Sequence, residues 1–430
     1  MPRDTNHSSI YDDLSRDDSR RCYISKTSTF NTNIIIDGHI FHLGSRYSLP
    51  KMIGSGAYGQ VISAYDSLLQ RKVAIKKIKL PSMNVVEAKL FYSRSLREIC
   101  ILTPLKHDNI VQVLDCYTPA TTVEQMREIY IVTNLMRLDF HQLIKMNNQR
   151  PIDKRIITNS HIPHFLYQIL RALKFIHSAK VLHRDLKPSN IFVDLDGHVR
   201  IGDFGLARVL EEEEANTPMT EYVCTRWYRA PELMLCDGTY TSAIDMWSVG
   251  CILGELIFGQ PLFPGRHYFD QLRLIVEHRC GSLGFPVHEH KLAYPTISDK
   301  SLNAFHRILA QCTNYHPKPF LPSDSIIPNI DEAAFDLLDR LLLMDPHKRL
   351  TAEDALQSSL FNNYRKDAGG EPSSEEAFQL DLSPYQLSDI RAMLFQKVQL
   401  VHQHLHEKAL ILNEQAAMMA NINMEKMDCY

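Results

Sequence analysis

Residues 203–232 read DFGLARVLEEEEANTPMTEYVCTRWYRAPE. Asp203-Phe204-Gly205 opens the stretch with a carboxylate beside a glycine, and Ala230-Pro231-Glu232 closes it. Between them stands Thr220-Glu221-Tyr222, two hydroxyls able to carry phosphate on either side of one carboxylate. Three common residues recur by chance. Their place just before Val223-Cys224-Thr225-Arg226-Trp227-Tyr228-Arg229 is what gives the tripeptide weight.

Upstream lies His183-Arg184-Asp185-Leu186-Lys187-Pro188-Ser189-Asn190, flanked by the apolar Val181-Leu182 and Ile191-Phe192-Val193. Charged and amide groups this dense between short apolar runs suit a reaction needing positioning and charge more than covalent help, as phosphoryl transfer does. Farther upstream Gly54, Gly56 and Gly59 form G-x-G-x-x-G, followed by Val61. Glycine lets backbone N–H groups approach phosphate closely. The same spacing marks dinucleotide sites, but there a helix opens after the last glycine. Here the next element carries Val73-Ala74-Ile75-Lys76 instead, so Lys76 is read as a cation for phosphates.

The chain has 430 residues, room for two domains and tails. Apolar residues at 44% and charged residues at 23% fit an ordinary globular protein. A net charge of −3 argues against nucleic-acid binding, which needs a basic surface. Nine cysteines without paired short spacings read as reduced thiols rather than a disulfide framework or zinc site. The N-terminal residues lack the apolar run of a secretory signal, and no stretch approaches the roughly 18 apolar residues of a membrane helix. A cytoplasmic location with nuclear entry, and no membrane partner, is the expectation.

Residues 1 to about 33 are rich in Ser, Asp, Arg and Thr and are expected to be disordered, as a solubilising tail or as a regulatory arm. From Tyr47, β-branched and aromatic runs at Ile53–Tyr65, Lys72–Ile78 and Ile129–Thr133 predict an antiparallel sheet, interrupted by a helix around Val86–Thr103. Beyond Leu138 the pattern predicts helices, among them His161–Ser178, Ala243–Phe258 and Asp331–Leu343. A long helical stretch is expected from about Leu387 into the Met-rich end.

With these motifs in this order, residues 47–400 resemble the mitogen-activated protein kinases, and within them the Thr-Glu-Tyr branch of extracellular-signal-regulated kinases. The resemblance implies an α+β, bilobal fold with a small antiparallel-sheet N-lobe and a larger helical C-lobe. It divides the chain into an N-terminal extension (1–46, mostly disordered), a catalytic domain (47–361, lobes about 47–135 and about 139–361) and a C-terminal extension (362–430) packing on the core. It implies a proline-directed Ser/Thr kinase using ATP and Mg2+ in signal transduction, switched on by phosphates on Thr220 and Tyr222. Asp185 would be the catalytic base and Lys187 would neutralise the γ-phosphate; Asn190 and Asp203 would bind magnesium. Lys76 would be aligned by Glu98. The rest of the nucleotide site would be Ile53, Gly54, Ser55, Gly56, Ala57, Tyr58, Gly59, Val61 and Ala74, then Thr133 as gatekeeper, Asn134 to Met136 as hinge, and Asp139 at the ribose. Arg97, Arg184 and Arg208 would receive phosphate on Thr220, while Arg226 and Arg229 would receive that on Tyr222. Asp245 would sit on the helix supporting the catalytic loop, and Arg349 would pair with Glu232. Substrates with Ser/Thr-Pro sites, an upstream dual-specificity kinase and phosphatases are the implied partners.

Three places stand apart from the resemblance. Glu211 to Glu214 make an acidic run, read as a solvated face or as a transient partner of the empty arginines. Where the family carries an acidic docking patch, this chain has Tyr364-Arg365-Lys366-Asp367-Ala368-Gly369-Gly370-Glu371-Pro372, with two basic residues in place of acids. Basic docking peptides are therefore expected to bind weakly. Downstream, Phe378 to Val398 follows the family again and is expected to lie back across the small lobe. His402, His404 and His406 suggest metal binding at first sight, but on a helix only His402 and His406 share a face. The Thr-Glu-Tyr segment and the tail from Phe378 favour this kinase group over a cyclin-dependent type. Intact Lys76, Asp185 and Asp203 favour an enzyme over a scaffold.

Overall fold

The computed structural model describes residues 22–26, 32–56, 59–81, 85–210, 226–236, 240–279, 294, 297–312, 320, 325–365 and 371–427. Ala57, Tyr58, the Glu211–Glu214 run, Thr220, Tyr222, Val223 and residues 366–370 of the altered docking stretch lie outside them. The chain divides into two compact units. One comprises residues up to Lys106, Val111–Met136 and the end from Pro384; the other comprises His107–Ile110 and Arg137–Ser383.

The first unit is built on strands. β1 (Cys22–Lys26), β2 (Thr32–Ile36) and β3 (His39–Leu43) form one antiparallel sheet. β4 (Tyr47–Gly56), β5 (Gly59–Asp66), β6 (Arg71–Lys79), β7 (Val113–Tyr117) and β8 (Glu128–Asn134) form a second, in the order β4-β5-β6-β8-β7. Helix α1 (Val85–Leu102) follows β6 in the chain. Strand structure thus begins well inside the stretch whose composition suggested disorder. The β2–β3 hairpin turns on Asp37-Gly38, with φ of 47° and 79°, and Ile36 pairs with His39 across it. Asp-Gly with both φ positive is a strong hairpin signal, and Ile34, Ile36, Phe41 and Leu43 supply the alternating apolar face. That face packs on Ile62, Ala64, Val73, Ile75 and Val132 of the larger sheet.

Because strand side chains alternate, the other face of the larger sheet carries a different set. The register puts Val61 opposite Gly54 and Lys76, and Thr133 opposite Ala74. Gly59 has φ of 141°, and a Cβ there would lie 2.0 Å from the Lys77 carbonyl oxygen, so only glycine fits. At Gly56 a Cβ would meet nothing within 4 Å. The chain ends in α10 (Leu387–Met427), described below, which lies against α1 and β7 in this same unit.

The second unit is mostly helical. α2 (Phe140–Asn148), α3 (His161–Ser178), α4 (Glu232–Leu235), α5 (Ala243–Phe258), α6 (Tyr268–Arg279), α7 (Asp299–Cys312), α8 (Glu332–Leu341) and α9 (Ala352–Ala355) are its helices among the described residues. Short strands β9 (Leu138–Asp139), β10 (Val181–Leu182), β11 (Ile191–Val193), β12 (Val199–Ile201) and β13 (Arg208–Val209) hold its loops, β11 between β12 and β9, β10 against β13. The predicted helices at His161–Ser178 and Ala243–Phe258 have those bounds, and α5 is buried on all its faces except at its last residue. Sheet in one unit and helix in the other is the division that the resemblance implies.

Arg349 and Glu232 form the expected pair, both nearly without solvent access, with Nη1–Oε1 at 2.5 Å and Nη2–Oε2 at 3.1 Å. The Arg349 guanidinium also bonds the carbonyls of Leu343 and Ala243 and lies over the Trp247 ring. Arg349→Ala strands a buried carboxylate, so it should cost about 3–5 kcal/mol of stability, read as a lowered urea midpoint. A variant as stable as the parent would contradict this account of the pair.

Candidate active site

In the second unit, the loop between β10 and β11 is closely hydrogen-bonded. Asp245, from α5, has no solvent access and accepts three hydrogen bonds. His183 N donates to its Oδ2 at 2.9 Å, Arg184 N donates to its Oδ1 at 2.8 Å, and His177 Nε2 lies 2.9 Å from Oδ2. Burial alone would raise this carboxyl, but the His177 hydrogen bond and the charges around it hold it below the ordinary carboxylate range. Arg184 meanwhile has φ of 67°, an uncommon conformation for a non-glycine residue. The two backbone bonds to Asp245 are what hold the loop in that shape.

The loop then presents its polar residues together. Lys187 Nζ donates to Asp185 Oδ2 at 2.6 Å. Asn190 Nδ2 donates to the Asp185 carbonyl at 2.8 Å and to its Oδ2 at 3.2 Å. Oδ2 is thus occupied twice, and among the described residues no hydrogen bond reaches Oδ1.

The neighbouring loop is tied to this one. Gly202 N donates to the Asn190 carbonyl at 3.0 Å, and His183 Nε2 lies 3.0 Å from the Gly202 carbonyl. Asp185 N donates to His183 Nδ1 at 3.3 Å, which requires the Nε2–H tautomer of the ring. Phe204 packs edge-on to the same imidazole, its centroid 4.8 Å away. Asp203, between Gly202 and Phe204, has φ of 60°. The motifs of residues 183–190 and 203–205 are therefore one rigid construction.

Of the arginines read as phosphate receivers, Arg184 and Arg208 are both carried by this construction, since β13 pairs Arg208 with Leu182. The Arg184 guanidinium lies 4.8 Å from the Tyr240 ring centre. Arg229 N donates to the Arg226 carbonyl within one turn. Within that turn the segment is tied to α5 and to the loop after it. Trp227 Nε1 donates to Gly265 O at 3.1 Å, the Tyr228 hydroxyl to Glu255, and Ser248 Oγ to Tyr228 O at 2.8 Å. Arg97 is buried on α1 in the first unit.

The first unit holds Lys76, the residue read from sequence as a cation for phosphates. Lys76 Nζ pairs with Glu98 Oε1 of α1 at 2.7 Å, both side chains largely buried. On the same sheet face lie Val61, Ala74 and Thr133, with Gly54 opposite Val61. Ile53 is half exposed beside them on β4. Ser55 and Gly56 pair with Gln60 and Gly59 at the hairpin tip. Asn134 Oδ1 accepts from Gln112 N at 2.9 Å. Met136 is the last residue of this unit before the chain passes to the other.

Asp139, in the second unit, has a task that the sequence reading missed. It caps α2: Gln142 N donates to its Oδ1 at 2.8 Å while Gln142 Oε1 accepts from Asp139 N at 3.2 Å. The signal was legible, an Asp followed three residues later by Gln. Glu371 was likewise read only as a patch acid. Its carboxylate accepts from the Tyr167 hydroxyl and Arg171 Nε of α3, and burial with that carboxylate pushes the phenol up to about 12. Arg365 is engaged locally, with Gln357, Asn362 and the Ser358 carbonyl. Among the described residues no group of three or more His, Cys, Asp or Glu could hold a metal ion, the histidines of α10 included. No described helix is long and apolar enough to cross a membrane.

Residues 47–361 match the family model for the protein kinase domain. The chain belongs to the protein kinases, a family whose phosphoryl donor is ATP. It is 39% identical over 389 residues to mitogen-activated protein kinase mpk-1 of Caenorhabditis elegans, covering 90% of this chain and 81% of that protein. It is 42% identical over 366 residues to extracellular signal-regulated kinase 1 of Dictyostelium discoideum (85% and 64%) and 40% identical over 376 residues to extracellular signal-regulated kinase 1 of Candida albicans (83% and 84%). Within the kinases it is thus a serine/threonine kinase of the mitogen-activated type, acting in signal transduction. Proline direction and dual phosphorylation are typical of that group.

Asp245→Ala removes the acceptor for two buried N–H groups and frees a positive-φ backbone. Transfer should fall at least tenfold in kcat, with the KM for ATP changed less, in steady-state assays on phosphorylated enzyme. An unchanged kcat would show that the loop does not need this carboxylate.

Proposed function

We propose that this chain transfers the γ-phosphoryl group of ATP to Ser or Thr followed by Pro, and that phosphates on Thr220 and Tyr222 switch it on. The observation that carries the reading is the Asp185–Lys187–Asn190 cluster on a loop held by a buried carboxylate. Asp185 Oδ1 receives the proton of the acceptor hydroxyl as that oxygen meets phosphorus. Lys187, already bonded to Asp185, neutralises charge on the transferring group. Lys76, oriented by Glu98, contacts the α- and β-phosphates, and the backbone of residues 53–59 covers them. Ala74, Val61 and Thr133 receive the adenine, Asn134 to Met136 its edge, and Asp139 the ribose.

Magnesium is usually held by one or two protein oxygens together with substrate phosphates. Asp203 and Asn190 fit that requirement: the Asn190 amide nitrogen is spent on Asp185, which leaves its oxygen for a cation. Bound there, the metal would neutralise charge on the phosphates. Arg97, Arg184 and Arg208 would receive phosphate on Thr220, and Arg226 and Arg229 that on Tyr222. The domain divisions at 46 and 361, cytoplasmic location with nuclear entry, and an upstream dual-specificity kinase and opposing phosphatases complete the reading. The use of Glu371 by Tyr167 and Arg171 supports weak binding of basic docking peptides.

Asp185→Ala should lower kcat by about a hundredfold or more while MgATP still binds, whereas Asp203→Ala should also weaken MgATP binding. Wild-type turnover by Asp185→Ala would overturn the assignment.

Peptides differing only by Pro→Ala after the acceptor test the proline reading. A buried, unpaired N–H costs about 1–3 kcal/mol, so kcat/KM should favour Pro roughly five- to a hundredfold. Equal values would refute it.

A further inference from the structure

The C-terminal helix α10 lays one stripe of side chains on the first unit: Ile390, Leu394, Val398, Val401, Leu405 and Ala409, all buried and spaced by three or four. It lies against α1, which carries Glu98, and against β7, the edge strand of the larger sheet. Polar contacts fasten it at two points along its length. Near its start Arg391 Nη2 donates to the Glu124 carbonyl at 3.0 Å, and its guanidinium lies 6.0 Å from the ring centre of Tyr92 on α1. About three turns on, His402 Nδ1 lies 2.6 Å from Asp115 Oδ1 of β7.

Asp115 is a buried hub. Its Oδ2 accepts from Arg46 Nη1 at 2.9 Å and from the Tyr47 hydroxyl at 2.6 Å, and Arg46 goes on to Asp66 at 2.7 Å. The groups that face His402 are Asp115 and Tyr117 on β7, Arg46 and Tyr47 at the entry to β4, and His406 on its own helix, whose ring lies 5.8 Å away. The next residue of β7, Cys116, is buried, and the charges of both Asp115 and Glu98 bear on it. The hub and Glu98 thus belong to one neighbourhood.

We propose that His402 is a positioning residue for the kinase reaction: protonated, it latches α10 to Asp115 and so holds α1, with Glu98, against the sheet for nucleotide binding. The latch is released by proton loss. The hydrogen bond from His402 to Asp115 raises the imidazole above its ordinary 6.5, although burial works against it. Burial would raise the Asp115 carboxyl, but bonds from His402 and Tyr47 and the Arg46 charge hold it below the usual range. A raised histidine stabilises the docked helix fully below pH about 6.5 and loses that contribution as pH rises through the raised value. His402 is 42% exposed at its side chain, so the effect is modest and weakened by salt.

The experiment uses the full chain and two readouts, because the second rests on the kinase reading and the first does not. Hydrogen exchange of residues 398–409, corrected for intrinsic rates, should show protection falling about two- to fivefold from pH 6 to pH 8.5. His402→Gln should give the high-pH level throughout, and His402→Arg should keep protection at both ends. MgATP affinity by calorimetry should follow the same pattern, weakening about two- to fivefold. Flat wild-type protection, or His402→Gln indistinguishable from wild type, overturns the latch. A moving helix with constant MgATP affinity overturns its positioning role. Wild type that binds no MgATP at all defeats the kinase reading instead, and leaves the helix result to stand on its own.

Discussion

The loop from His183 to Asn190 depends on one buried carboxylate. Asp245 takes two backbone N–H groups from adjacent residues, and those bonds hold Arg184 in a conformation its side chain disfavours. Everything the loop presents follows from that. With His183 fixed, its ring can bridge to Gly202 and pack against Phe204. With Arg184 turned, the chain emerges so that Lys187 and Asn190 both fold back on Asp185. The arrangement is local and continuous, which is how a loop proposed to carry phosphoryl transfer can still hold one geometry.

The same device recurs wherever this protein joins distant segments. Glu232 with Arg349, Glu128 with Lys77 and Tyr130, and Asp115 with Arg46, Tyr47 and His402 are all carboxylates with two or more hydrogen bonds from their partners. Such pairs add little net stability over well-packed apolar groups, since desolvation offsets most of the attraction. Their value is positional. An apolar contact tolerates sliding, whereas a carboxylate held by two or more directional hydrogen bonds tolerates little. Lys77 illustrates this: its ammonium bonds both Glu128 and the Ile40 carbonyl, so the β2–β3 hairpin is fixed in register on the larger sheet.

What the sequence revealed follows from how locally each feature is encoded. The residues from Asp185 to Asn190 carry their geometry within six positions, and the face that Lys76 takes is fixed by strand alternation, so both were legible. Helices such as His161–Ser178 were readable because the apolar period runs through them. The β2–β3 hairpin was not read, although Asp37-Gly38 and its flanking isoleucines state it plainly. The polar composition of the preceding residues outweighed a short, strong turn signal. Asp139 was assigned to ligand alone, when its N-cap geometry with Gln142 gives it work in the fold irrespective of any ligand.

Long-range pairings were the least legible, for a physical reason. Nothing in the run of residues around Glu371 indicates that Tyr167 and Arg171, two hundred positions earlier, will claim its carboxylate. Charge read from sequence assumes each group is free to act, and folding spends many of them on one another. The histidines of α10 show the converse. Read as a spaced triplet they suggest a metal, yet among the described residues it is His402 that meets a carboxylate, because the apolar stripe sets which side of the helix meets β7. Helical phase, fixed by Val398, Val401 and Leu405, decides that His402 reaches Asp115 while His404 stays at the exposed side. A histidine's role in such a helix is set by the apolar residues around it before its own chemistry enters.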